Sequence, residues 1–149
     1  MSALHQEPHS VTVTAYAGYN KAEDIRRQSS SGGLFTLLAT TIINRGGVVF
    51  GAGFDETLTL KHSAVDKVEG LYKFRGSKYV QSTIGDTYRE AETLLKEGRW
   101  VMFTGTPCQI GGLYAYLRKD YPTLFTQDII CHGVPSPLVF EKYIENRVS

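Results

Sequence analysis

Hydrophobic positions in the second half of the chain follow helical spacing and strand-length runs in turn. One set recurs at intervals of four, three and four residues and predicts an amphipathic helix: Ile84, Tyr88, Ala91 and Leu95. Apolar runs at residues 100–104 and 124–130 predict two strands, each followed by a helix pattern that starts near Pro107 or at Pro137. Because strands and helices alternate here, we expect parallel strands joined by helical crossovers.

The first half of the chain predicts strands, a hairpin and one strongly apolar helix. Residues 11–17 have strand propensity, and residues 34–43 are apolar on nearly every side, which predicts a well-covered helix. Residues 48–54 indicate a buried strand, and residues 58–65 continue it as a hairpin. The second strand has an alternating inward set: Leu58, Leu60, His62 and Ala64.

The pattern favours an α/β fold: a mixed, mainly parallel sheet flanked by helices, with one β-hairpin, forming part of a domain. Two segments are expected to lack regular structure, the charged residues 21–27 and the irregular residues 66–82. Residues 1–10 are polar and predict a loose tail before a single α/β domain at residues 11–149.

The composition excludes several classes of protein and leaves the predicted fold class unchanged. The chain has 149 residues, enough for one core, and its formal net charge of +1 gives no sign of a nucleic-acid surface. No apolar stretch is long enough to cross a bilayer, and the first residues lack the regions of a signal peptide. Two cysteines do not make a disulfide scaffold, so we expect a cytoplasmic protein.

Each cysteine follows a predicted strand and lies in a Gly/Pro turn before a helix pattern, at the sheet edge where ligands bind in open α/β folds. If Thr106 caps the helix and Pro107 is its first residue, Cys108 lies in the first turn, where free amides favour the thiolate. A thiolate ligates iron or zinc and attacks disulfides. The alternative is a small cysteine buried at a crowded turn.

Cys131 repeats this arrangement with His132 beside it, which is either a second ligand or proton donor, or simply an exposed loop histidine. Zinc sites commonly use close ligand pairs, which the sequence lacks. A [4Fe–4S] cluster needs four cysteines, of which this chain supplies two. A thiol–disulfide enzyme stays open as an alternative, although no C-x-x-C motif is present.

Two further loops are candidate binding sites for an anion. Residues 29–33, of sequence SSSGG, precede the apolar helix, where serine caps and glycine exposes amides. Residues 75–79, of sequence RGSKY, place two cations and an aromatic ring around Gly-Ser, which suits a phosphate and a stacked ring. The alternatives are plain helix capping with close packing for the first loop, and a solvated loop for the second.

In chain order, five segments resemble the coenzyme F420 hydrogenase/dehydrogenase beta-subunit family in its amino-terminal half, over roughly residues 13–147. They are residues 29–35, 47–52, 75–82, 105–109 and 130–136. The resemblance implies an iron–sulfur flavoprotein in which FAD passes electrons between a [4Fe–4S] cluster and coenzyme F420 or another acceptor. It makes Cys108 and Cys131 cluster ligands, and it implies a redox partner subunit or a ferredoxin-like donor.

The resemblance and the loop chemistry together give a set of candidate cofactor-binding residues: Ser30, Ser31, Gly32, Gly33, Arg75, Ser77, Lys78, Tyr79, Thr106, Gln109 and His132. Family members commonly carry further cysteines after this region, so we expect the chain to be the amino-terminal part of a longer oxidoreductase, incomplete alone, with an unfinished surface that favours a homodimer. The alternative is a non-catalytic nucleotide-binding or docking module. No nucleic acid or membrane is expected as a partner.

Overall fold

A computed structural model describes residues 13–148. Its sheet has four strands in the order β2-β1-β3-β4, with helices on both faces. The elements in chain order are α1 (Glu23–Arg27), α2 (Leu34–Asn44), β1 (Val48–Phe54), β2 (Leu60–Val65), a 3₁₀-helix (Val68–Phe74), α3 (Thr87–Lys96), β3 (Val101–Gly105), α4 (Pro107–Leu117), β4 (Leu124–Asp128) and α5 (Pro137–Val148). The predicted α/β class, the mixed sheet and the hairpin are confirmed.

Strands β1 and β3 form the centre of the sheet because their side chains are apolar on both faces. β1 pairs with β2 as the antiparallel hairpin, and β3 is parallel to both β1 and β4. Phe50 and Phe103 point to one face, whereas Val49 and Met102 point to the other.

Two clusters of buried side chains result, one on each face of the sheet. The first lies under α3 and α4: Val48, Phe50, Ala91, Leu95, Val101, Phe103, Ile110, Leu113 and Leu117. The second lies under α2 and the 3₁₀-helix: Ala39, Ile42, Val49, Leu71, Phe74 and Met102. Neither helix pair is stable without the sheet, because each buries only one apolar face.

The connection between α2 and β1 sets the direction of α2. Gly47 lies so close to the preceding helix and to β3 that a Cβ there would come within 2.7 Å of the Trp100 carbonyl oxygen. The chain reverses at this point, so α2 runs opposite to β1. The first turn of α2 therefore lies at the carboxyl edge of the sheet, where β1, β3 and β4 end.

Some sequence predictions of local structure are wrong. Residues 13–17 form no strand, because β-branched and aromatic residues need a ladder partner and this exposed segment has none among the described residues. Residues 21–27 contain α1 instead of a loop, with Glu23 and Arg27 paired at 2.6 Å and charges that match the helix dipole. Residues 1–12 lie outside the described residues, so the predicted tail does too.

Other corrections concern burial and element bounds. Leu58 lies in the hairpin turn, not in β2, because the Asp55 carboxylate accepts hydrogen bonds from the Thr57 and Thr59 amides and holds the turn together. Helix α2 is covered on one side only, and Leu37 on its other side is exposed. Residues 66–82 include the 3₁₀-helix, which fills the second core cluster.

Among residues 13–148, none of the helices has both the length and the hydrophobicity that a membrane span requires.

Candidate functional site

The carboxyl edge of the sheet brings together four segments that the sequence singled out. β3 ends at Gly105 and β4 at Asp128, so both cysteine turns begin at this edge. The first turn of α2 and the end of the 3₁₀-helix lie at the same edge beside β1, since the Phe74 ring packs directly against Gly51. Ligands bind at this edge in open α/β sheets.

The Cys108 turn has the geometry that the sequence predicted. Thr106 is the N-cap of α4, Pro107 is its first residue, and Cys108 follows in the first turn. The thiol is free and exposed, and the Thr106 hydroxyl lies 3.1 Å from its sulfur. The alternative of a buried structural cysteine is therefore wrong for Cys108.

A series of hydrogen-bonded polar side chains lies beneath this turn, inside the protein. His62 on β2 reaches across the sheet, and its Nε2 lies 3.0 Å from the Thr104 carbonyl oxygen. Its Nδ1 lies 3.0 Å from the Ser82 hydroxyl. The same hydroxyl accepts a hydrogen bond from the side-chain NH₂ group of Gln109 at 2.9 Å. Gln109 Oε1 accepts the Thr106 N–H at 3.0 Å, so the chain returns to the turn.

The His62 ring is inside the protein and stacks on Phe103, with ring centroids 5.5 Å apart. Burial lowers the pKa of His62 below its ordinary value, and its hydrogen bond to the Thr104 carbonyl only partly opposes this effect. His62 is thus neutral near pH 7, with its proton on Nε2.

The Cys131 turn differs from the Cys108 turn. Residues 129–136 have no regular secondary structure, and the Ile129 amide donates to the Gly105 carbonyl at 3.2 Å. Helix α5 then packs Phe140 against Phe54 at the end of β1, so the segment crosses the carboxyl edge from β4 toward β1. Cys131 and His132 are both exposed, and the alternative of a buried structural cysteine is wrong here too.

The two thiols do not form a metal site by themselves. Among residues 13–148, no group of three or more His, Cys, Asp or Glu side chains is placed to hold a metal ion. Both cysteines are free. A [4Fe–4S] cluster uses four cysteine ligands, so these residues supply half of such a set at most.

The two predicted anion loops meet in space although they are 47 residues apart in sequence. The Ser77 amide donates to the Ser30 hydroxyl at 2.6 Å. The Arg75 guanidinium donates to the Thr36 hydroxyl of α2 at 3.2 Å and to the side chain of Gln28, just after α1, at 2.7 Å. The sequence predicted each loop separately, and the fold joins them into one surface.

Lys78 is half-buried in this surface without a carboxylate partner. Its ammonium donates to the carbonyl oxygens of Arg75 and Gly76 at 2.8 and 3.1 Å, and no salt bridge among the described residues includes it. Burial lowers the pKa of Lys78, because the charged form is less well solvated there. Tyr79 beside it is largely exposed and presents an open ring.

The glycines of the first loop have a structural role that the sequence left as an alternative. Gly33, at φ +73°, is the N-cap of α2, so the expected serine cap is wrong. A Cβ on Gly32 would come within 2.9 Å of the Gly18 carbonyl oxygen, so close packing requires glycine there. Ser31 is exposed, and Ser29 donates to the Ile25 carbonyl instead of capping α2.

Sequence reasoning missed His62 and Ser82 as members of the site. His62 was assigned to the inward face of β2, in a set of otherwise apolar residues. A polar residue at an inward strand position must find partners inside the protein, and that requirement is the signal that points to a buried network.

A comparison with solved structures supports the fold. The fold is shared with a chain of the F420-reducing [NiFe] hydrogenase complex from Methanosarcina barkeri: the TM-score is 0.67 and the identity 23%, over 86% of this chain and 47% of that one. Our chain thus spans about half the length of that protein. No curated protein matches the sequence.

Part of the sequence also matches a known family. Residues 98–148, which include both cysteine turns, match the family described as the C terminus of the coenzyme F420 hydrogenase/dehydrogenase beta subunit. The resemblance predicted from the motifs is therefore confirmed. Because the matching description names the C terminus, placement in the amino-terminal half stays a prediction.

Proposed function

We propose that this chain is a flavin-binding electron-transfer domain of the F420 hydrogenase beta-subunit type, part of an oxidoreductase that acts with a redox partner subunit or a ferredoxin-like donor. The observation that carries the proposal is the meeting of the Ser30 and Arg75–Tyr79 loops at the sheet edge that also bears Cys108 and Cys131. Neither loop alone is specific, and their convergence beside two exposed thiols is what supports a redox site.

The joined loops fit the diphosphate and ring system of FAD. Arg75 presents a guanidinium, and Lys78 an ammonium that lacks a carboxylate within the described residues. A half-buried cation without a counter-ion is stabilised when an anion binds. Tyr79 offers an exposed aromatic ring beside these charges for stacking.

The protein residues hold and orient the cofactor in this proposal. Bound at these loops, FAD would supply two-electron or hydride exchange with one partner, such as coenzyme F420, and single-electron exchange with another. Arg75 is fixed by Thr36 and Gln28, so its charge is already in place before the ligand arrives. Such preorganisation lowers the entropic cost of binding.

The residues fit a [4Fe–4S] cluster only in part. Cys108 and Cys131 are exposed at one edge, and the two remaining ligands must come from outside the described residues or from another chain. We therefore derive no electron-transfer step through a cluster from this structure, and we propose the two thiols as half of its ligand set.

The flavin proposal is tested by measuring the dissociation constant of FAD for the chain and its variants. Arg75→Ala and Lys78→Ala should each weaken FAD binding roughly ten- to a hundredfold, since one charge-assisted hydrogen bond contributes roughly 1.5–3 kcal/mol. Arg99→Ala is the matched control, because Arg99, like Arg75, is a half-buried arginine, and it binds the Gly46 carbonyl at the opposite edge of the sheet. Binding that is equally strong in all four proteins, or absent from the parent chain, contradicts the proposal.

The cluster proposal is tested separately by anaerobic reconstitution with iron and sulfide, alone and with the partner subunit. Cys108→Ser and Cys131→Ser should each abolish the broad visible absorbance of the reconstituted protein while FAD binding stays unchanged. A double variant that binds FAD and supports full activity of the parent protein favours the alternative, a non-catalytic nucleotide-binding or docking module.

A further inference from the structure

We propose that His62 is a positioning residue for the Cys108 turn and acts on it through Ser82 and Gln109. The inference rests on the proposed function for the use of the Cys108 thiol, and it concerns how the fold holds that thiol in place. In the described part of the chain, the hydrogen bonds of these three side chains go to one another and to the backbone of residues 104 and 106, and the Cys108 sulfur lies near the Thr106 hydroxyl. Their effect passes through the backbone of residues 104–106, at both ends of the turn.

One end of the turn is the Thr104 carbonyl, which lies past the end of the ladder between β1 and β3. That ladder stops at Phe50 and Phe103, so no β1 residue lies in register with Thr104, which pairs on its other side with Gln127 of β4. His62 supplies the missing hydrogen bond from β2, 3.0 Å away. It reaches across because its register partner on β1 is the small residue Ala52. Thr104 is half-buried, and a carbonyl shielded from water without a partner costs free energy, so the hydrogen bond from His62 stabilises the turn.

The other end of the turn is the Thr106 amide, which donates to Gln109 Oε1 at 3.0 Å. That contact fixes the orientation of the Gln109 side chain, so its NH₂ group points toward Ser82. Ser82 accepts this hydrogen bond and donates its own proton to His62 Nδ1. His62 Nε2–H then donates to Thr104. Every donor in the chain has one acceptor, and only the neutral imidazole with its proton on Nε2 completes it.

Gly105 shows how closely the network encloses the turn. A Cβ on Gly105 would lie 2.9 Å from Gln109 Oε1 and 3.4 Å from His62 Nε2. The backbone between Thr104 and Thr106 is thus held from both ends, with no space for a side chain between them. Thr106 carries the hydroxyl that lies 3.1 Å from the Cys108 sulfur, so a shift of the Thr106 backbone would also move that hydroxyl relative to the sulfur.

The test measures the alkylation rate of Cys108 by iodoacetamide relative to that of Cys131 in the same molecules, by mass spectrometry of the full chain. His62→Phe keeps a ring to stack on Phe103 and removes both hydrogen bonds. We expect the Cys108 rate to fall roughly two- to fivefold, the size of a helix-terminus effect on a charged group, while the Cys131 rate is unchanged. Exchange of the Thr106 amide with deuterium should accelerate in the same variant.

Thr87→Val is the matched control, since Thr87 is a buried threonine whose hydroxyl donates to the Ile84 carbonyl away from the turn. If His62→Phe does not fold, Ser82→Ala breaks the same chain at its next link. His62→Asn keeps an acceptor for Ser82 and should restore part of the Cys108 rate. A Cys108-to-Cys131 ratio that is unchanged or higher in the variants overturns the inference, and this result is independent of whether the chain binds FAD or iron.

Discussion

The two cysteine turns look alike in sequence and differ in how the fold holds them. Cys108 follows the central strand β3 and enters α4 at once, above a buried chain of hydrogen bonds. Cys131 follows the edge strand β4 and lies in an exposed segment that reaches α5 only at Pro137. Among the described residues, those from 130 to 135 make no hydrogen bond with one another or with the rest of the protein.

This difference shows that a strand-turn-helix pattern in the sequence does not by itself determine how firmly the fold holds the turn. The Cys108 turn is held because neighbouring elements supply buried partners for its backbone. The Cys131 segment is held by the hydrogen bond from Ile129 to Gly105 at its start and by the packing of Phe140 just beyond its end. A segment with few internal hydrogen bonds adapts more easily when a ligand or another chain supplies contacts, whereas the Cys108 turn is held by its own hydrogen-bond network.

The largest expected effect is a difference in the free energy of unfolding between substitutions on the two strands that lead to these turns. Phe103 on β3 is fully buried and packs on Phe50, His62 and Tyr88. Phe103→Ala should lower the free energy of unfolding by about 3–5 kcal/mol, since it opens a cavity under the Cys108 turn. Phe125→Ala on β4 is the matched control and should lower it by less than about 1.5 kcal/mol, because that ring is partly exposed.

Urea unfolding followed by circular dichroism measures both values. If the two variants lose similar stability, then the strand before Cys131 is as well buried as the strand before Cys108. That result would remove the structural basis of the comparison.

Much of the fold was predictable because its central strands are apolar and of strand length. The apolar runs at residues 48–54 and 100–104 predict the two central strands of the core. The spacing of apolar residues in α3 predicts one of the helices that cover the sheet. The approximate start of α4 followed from Pro107. These signals are local, so a single sequence carries them.

The rest depends on contacts between distant residues, which local patterns do not report. Residues 13–17 have strand propensity and find no ladder. Helical spacing also predicts that Tyr114 and Tyr143 face inward, yet both are about half-exposed because no described element covers them fully. The joining of Ser30 to Ser77, and of His62 to Thr104, likewise needs the folded sheet before it exists.

A smaller effect tests how tightly α4 is packed beneath the Cys108 turn. A Cβ on Gly112 would lie 2.9 Å from the Tyr88 hydroxyl, which donates to the Gln109 carbonyl at 2.6 Å. Gly112→Ala should therefore destabilise the protein by about 1 kcal/mol, since Tyr88 must move and lose that hydrogen bond. Gly111→Ala meets open space and should stabilise it by about 0.5–1 kcal/mol through higher helix propensity.

Thermal unfolding of the two neighbouring variants gives the comparison directly. Equal shifts of the melting temperature for Gly111→Ala and Gly112→Ala would mean that Tyr88 does not pack closely on α4. The Gln109 backbone would then lack the support that we assign to it.

The smallest expected effect is the pH dependence that His62 gives to stability. Burial lowers the pKa of His62 in the folded protein, whereas in the unfolded chain it titrates near its ordinary value of about 6.5. Between those two pKa values the unfolded chain binds more protons than the folded protein, so the free energy of unfolding falls as pH decreases through this window. Above the unfolded pKa the contribution of His62 is complete, and below the folded pKa no further loss comes from it.

The measurement is the urea midpoint of the parent chain and of His62→Phe between pH 7.5 and pH 5. The parent should lose more stability over this range than the variant, because only the parent must protonate a buried imidazole that donates to Thr104 and accepts from Ser82. His132→Phe serves as the control, because it alters an exposed histidine in the Cys131 segment and should leave the slope of the parent nearly unchanged. If the parent and His62→Phe give parallel curves, His62 does not depend on its neutral form, and the buried network is not what distinguishes the Cys108 turn from the Cys131 turn.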